Sequence, residues 1–182
     1  MKKFLFYVVL ILVVGTAGAL TAVYFITKKN AQPEPVVTHP SKLIYKDVDA
    51  CVALSGEDAV ALLNDTVTGG SSANGSASSP DITVTNCSYK AAASAKSVGI
   101  VARSAKSLAG VVGNKGAFGI NKPVNAVAVT GLGDAAFWSP DYAQLNLLVG
   151  NNWYIITSGL PTAASRTVDD AKAVAVRILQ RL

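Results

Sequence analysis

The chain has 182 residues, with 16 basic and 11 acidic side chains, a formal net charge of +5 and 51% apolar residues. Setting aside Lys2 and Lys3 leaves 14 basic against 11 acidic residues, a net +3 scattered along the chain with no basic run beyond Lys28-Lys29. That balance excludes the concentrated positive surface that nucleic-acid binding needs, and the length leaves room for one domain with a real core after an N-terminal segment is removed.

Phe4 to Ile26 carries no charge. At ~1.5 Å per residue a helix there reaches about 34 Å, enough to cross a bilayer core of about 30 Å. Lys2-Lys3 and Lys28-Lys29 flank it, and Tyr7, Tyr24 and Phe25 lie near its ends, where amphipathic rings favour the interface. Residues 1–27 therefore read as a transmembrane anchor. The rival reading is a signal peptide, with Phe4–Val14 as its apolar core and Ala17-Gly18-Ala19 as the cleavage pattern. The apolar run continues past Ala19, where signal peptides turn polar, and this favours the retained anchor. No cysteine lies in the segment, so a lipid-modified cysteine is excluded. The lysines do not orient the anchor, since two stand on each side. The three-residue N-terminal tail and the cysteine pair place the rest of the chain outside the cytoplasm, as a single-pass cell-membrane protein.

Residues 28–46 hold Pro33, Pro35 and Pro40 among polar neighbours, the composition of an extended spacer. The domain proper is residues 47–182. Cys51 and Cys87 are its two cysteines, and an even pair outside the cytoplasm most simply forms one disulfide. With His39 the lone histidine, in the spacer, a four-ligand zinc site is not expected, and neither is any other cofactor.

Ser55-Gly-Glu-Asp58 is a capping-box pattern that predicts a helix from Ser55 to about Asn64, with Ala59, Val60, Leu62 and Leu63 on its apolar face. Thr66–Asp81, rich in Gly and Ser, reads as a flexible surface loop between the two cysteines. Alternation predicts strands at Ile82–Tyr89 and Ser97–Arg103, the first bringing Cys87 back to Cys51. A small-residue helix follows over 104–118. Short strands are expected at Val127–Val129, Ala135–Trp138, Leu145–Val149 and Trp153–Thr157, with Gly150-Asn151-Asn152 as a hairpin turn. Thr167-Val-Asp-Asp170 is a second capping box, and Val168, Ala171, Val174, Ala175 and Ile178 recur at helical spacing behind it. The expected fold is α+β, with an antiparallel sheet of five or six strands covered on one face by helices.

Four pieces carry a resemblance to a known group. They are Cys51 ahead of the Ser55-led helix, the Cys87-Ser88-Tyr89 strand, Gly131-Leu-Gly-Asp-Ala-Ala-Phe-Trp138, and the Leu145…Gly150…Trp153 hairpin. Over roughly residues 47–182 the chain resembles small bacterial cell-surface domains common as actinobacterial lipoproteins, some distantly like the extracellular sensor domains of receptor kinases. The resemblance implies no catalytic residues. The chain departs from the lipoprotein pattern in lacking a lipid-attachment cysteine, so its tether must be the helix.

Gly131–Trp138 reads as a tight turn whose Asp134 bonds nearby amides and whose Phe137 or Trp138 fills the core. The functional alternative sets Asp134, Trp138, Tyr142 and Trp153 around a ligand groove. The glycines of 110–119 superficially look like the GxxG loop of RNA-binding KH domains, but the mild charge and outside location argue for a glycine-rich helix end, with no nucleic-acid partner. A hydrolase triad would need His39 to fold back from the spacer, and no pair of carboxylates is placed for acid–base work. The reading is a non-enzymatic binding, sensor or envelope-accessory module that meets an envelope protein or a small ligand. An extracytoplasmic hydrolase or a purely structural envelope component is the alternative.

Overall fold

The computed structural model describes residues 45–75 and 77–182. The predicted anchor and all but the last two residues of the spacer lie outside the described residues. Among the described residues no helix is long and apolar enough to cross a membrane.

The architecture is α+β. Two helices open it, α1 (Ala50–Ala53) and α2 (Gly56–Leu63). Eight strands follow with one helix among them: β1 (Val67–Gly69), β2 (Ala73–Asn74), β3 (Ile82–Ala91), β4 (Ser97–Ala105), α3 (Leu108–Ile120), β5 (Val127–Val129), β6 (Ala135–Ser139), β7 (Gln144–Val149) and β8 (Asn152–Gly159). Helix α4 (Val168–Leu179) closes the chain. The strands form one antiparallel sheet in the order β1-β3-β4-β8-β7-β6-β5, with β2 pairing with β3 beside that path.

Two expectations about this sheet are corrected. It has eight strands, not five or six, because the Gly- and Ser-rich segment predicted as a loop supplies β1 and β2 along the exposed edge of β3. Helices also cover both faces. Strand parity defines the faces: Cys87, Ile100, Tyr154, Ile156, Leu145 and Trp138 point one way and form the main core with α1, α2 and α4. Arg103, Trp153, Asn146 and Phe137 point the other way, and α3 sits there. Its seat has a simple cause. Any Cβ on Gly110 would collide with the carbonyl oxygen of Asp81, so only glycine lets the helix approach this closely.

The caps follow the sequence. Ser55 Oγ accepts from Asp58 N while Asp58 accepts from Ser55 N, and Asn64 ends α2 in the left-handed region at φ 50°. Thr167 Oγ1 accepts from Asp170 N to start α4. Glycine at position 150, φ 57°, makes the β7–β8 turn. Cys51 and Cys87 are bonded, Cα atoms 5.1 Å apart, fastening α1 to β3. The start of the domain is stitched to the same face: Val48 N donates to Ser104 Oγ and Thr85 Oγ1 donates to Val48 O.

The two ends of the domain meet at an ion pair in which Asp58 is covered and Arg181 stays exposed. Arg181 Nε lies 2.8 Å from Asp58 Oδ2, and Ser55 donates to the same oxygen from its amide and hydroxyl. Burial alone would raise the Asp58 pKa, but hydrogen bonds from Ser55 and Arg181 outweigh it and hold the carboxyl below its ordinary value. A depressed folded-state pKa gives stability that is complete above the unfolded value and is lost as pH falls through the folded one. Asp58→Asn is therefore expected to cost about 1–2 kcal/mol at pH 7 and progressively less in acid. Urea denaturation of both proteins from pH 7 to pH 2 measures this; parallel curves would contradict it.

Candidate functional site

The face that carries α3 is only partly covered. Beyond the C-terminal end of the helix lies an open trough of about 380 Å³. Strands β7 and β8 make its floor with Gln144, Asn146, Trp153 and Ile155. One wall is Ile120, Asn121 and Pro123, where α3 ends; the other is Ser139 and Tyr142, at the β6–β7 turn. Asn125 Nδ2 donates to Asp141 Oδ1 at 2.9 Å, tying the loop after Pro123 to the turn before Tyr142. A shallower hollow of about 140 Å³ continues across β8, β4 and β3, lined in part by Thr157, Val101, Asn86 and Ser88 and sharing Gln144 and Ile155 with the trough.

Trp153 is the fixed point of this floor. It is 5% exposed, and its indole N–H donates to Asn146 Oδ1 at 3.1 Å. The ring edges against Phe118 of α3 with centroids 6.4 Å apart, and Phe118 also meets Phe137 at 4.8 Å. Arg103, the cross-strand partner of Trp153, places its guanidinium carbon 5.2 Å from the indole centroid. Partial burial lowers the Arg103 pKa, and its Nε has no hydrogen-bond partner among the described residues. The β6–β7 turn is equally defined. Ala143 adopts the left-handed region at φ 48° with its methyl wholly buried, and this bend leaves Tyr142 64% exposed at the rim.

The four residues expected around one groove do not meet. Trp138 belongs to the opposite face, opposite Leu145 and inside the main core. Asp134 serves the turn, accepting from Gly150 N at 2.6 Å while its own amide donates to Leu148 O at 2.8 Å. Tyr142 and Trp153 do share the trough. Reasoning from the sequence missed Ser139, Gln144 and Asn146. A signal existed in the alternation Gln144-Leu-Asn146-Leu, which puts two amides on the face that Trp153 and Ile155 also use.

The chemistry of the lining is uniform. Among the described residues, no Asp, Glu, Lys, Arg or His lines the trough or its extension. Ser139 Oγ is buried and has no hydrogen-bond partner among the described residues, so no base is set against this hydroxyl. An unpartnered buried hydroxyl costs stability. Ser139→Ala is expected to leave the fold intact and to raise its unfolding free energy by about 1 kcal/mol, a gain that thermal denaturation would detect; a marked loss would show that the hydroxyl has a partner in solution. The chain matches no protein-family model, no curated protein and no solved structure. What the site does must come from its own geometry.

Proposed function

We propose that this chain is a membrane-tethered, extracytoplasmic binding module, not an enzyme, and that the trough on the α3 face receives its ligand. One observation carries the reading: a concave face offers amide and hydroxyl groups around a rigid indole, and among the described residues no charged group lines it. Acyl transfer or acid–base hydrolysis needs a nucleophile held by a base. The Ser–Asp pairs at Ser55–Asp58 and Ser107–Asp81 instead belong to helix caps. Polar groups on a floor of this kind favour recognition, because a bound molecule can satisfy them while apolar neighbours exclude water. The Cys51–Cys87 bond supports the outside location, since such bonds persist in oxidising compartments.

The test places a photo-crosslinking benzoylphenylalanine at position 142 in the full chain, expressed in its own membrane. A covalent adduct is expected that disappears when Ile155→Arg fills the floor and that does not form from position 60 on α2, where Val60 is exposed. If no adduct depends on the trough, the binding reading fails.

A further inference from the structure

Resting on the reading of the trough as a ligand site, we infer that its ligand is a neutral oligosaccharide. The lining decides the class. An anionic or cationic ligand would need a counter-charge, and among the described residues none lines either hollow. A wholly apolar ligand would desolvate Gln144 and leave the buried Ser139 hydroxyl still without a partner. Carboxamides and hydroxyls both donate and accept, which is what the hydroxyl groups of a sugar require. Asn146 commits its Oδ1 to Trp153, and its amide nitrogen makes no hydrogen bond to any described residue. Ser139 Oγ, on a residue only 1% exposed, is likewise without a partner.

An extended peptide is the nearest competitor, and the floor argues against it. Peptides that add to sheets do so through free backbone groups at an edge. Here the floor is β7 and β8, whose ladders run to neighbours on both sides. Only side chains are left to recognise a ligand. Tyr142, exposed at the rim, offers an amphipathic ring to the apolar face of a sugar. The joined hollows cross five strands, β6 to β3, or ~19 Å at the usual strand spacing. That length suits a short oligosaccharide chain better than one sugar.

The experiment screens the 182-residue chain against an array of neutral and acidic oligosaccharides, adding a neutral alanine tetrapeptide amide. Hits are then titrated by tryptophan fluorescence and calorimetry. Saturable binding to at least one neutral oligosaccharide is expected. Tyr142→Ala and Gln144→Ala should each weaken it about tenfold with unchanged melting temperatures. Ser139→Ala should also weaken it while the protein melts no lower. Binding to acidic sugars only, to the peptide only, or to no saccharide overturns the inference. So does neutral-sugar binding that ignores all three substitutions. A trough-dependent adduct at position 142 without any sugar binding would sink the saccharide and leave the binding module standing.

Discussion

Replacing Cys51 and Cys87 together by alanine is expected to lower the unfolding free energy by roughly 3–4 kcal/mol, a fall in melting temperature on the order of 10 °C for a domain of this size. The bridge spans 36 positions of sequence, and in the chain-entropy account a loop of that length removes much of the freedom of the unfolded chain. The closed segment is also the part of the domain least able to hold itself. It contains all but the first residue of α1, a helix only four residues long, and the short strands β1 and β2. Helix α2 has its own hold through Asp58 and Arg181. Loss of the bridge should therefore raise amide exchange most in α1, β1 and β2 and least in β4, β7 and β8. Guanidinium denaturation of the double variant, and of the parent with and without reductant, measures the effect. Equal midpoints for all of these would show that the bond does not constrain the fold, and free thiols in the exported protein would contradict the outside location.

The parts of the fold that local chemistry dictates were legible in the sequence. Ser55 with Asp58 and Thr167 with Asp170 announce helix starts, because a side-chain oxygen three residues ahead of an acid satisfies amides the helix cannot. Gly150 announces the turn that joins the two longest C-terminal runs of alternation. Features set by distant partners were not legible. Strands β1 and β2 lie in a Gly- and Ser-rich run with little alternation, and they pair because β3 presents an open edge. Helix α3 has almost no apolar stripe: Leu108 and Val112 are exposed, and glycines recur at 110, 113, 116 and 119. Nothing in such a pattern tells which face of a sheet the helix will cover. The two tryptophans show the same limit. Each sits in a strand, but the register between β6, β7 and β8 decides that Trp138 enters the core and Trp153 faces the trough.

Asn114 explains how α3 stays on that face, and its replacement carries the second large effect. The side chain is fully buried, and its Nδ2 donates to Arg103 O at 2.9 Å and to Asn151 O at 3.0 Å. One amide thus ties the helix to β4 and to the β7–β8 turn. Asn114→Asp removes both donors and turns oxygens toward two carbonyls. The ionised variant is expected to lose about 3 kcal/mol or more at pH 7, since a buried charge is left facing acceptors. Protonated, the introduced carboxyl recovers one donor, and near pH 4 the loss should shrink to about 1 kcal/mol. Burial and the facing carbonyls raise its folded-state pKa, so the variant loses stability relative to the parent as pH rises. Asp58 acts in the opposite sense, losing stability as pH falls. The difference between variant and parent at each pH isolates position 114. Asn114→Ala supplies the control, with a loss of about 2 kcal/mol that does not change with pH. A pH-independent Asn114→Asp would mean that water reaches the site. Because Phe118 and the Ile120–Asn121 wall belong to the same helix, the charged variant should also shift Trp153 fluorescence at neutral pH and weaken capture at the trough. Stability lost without those two changes would show that the helix end holds its place independently of Asn114.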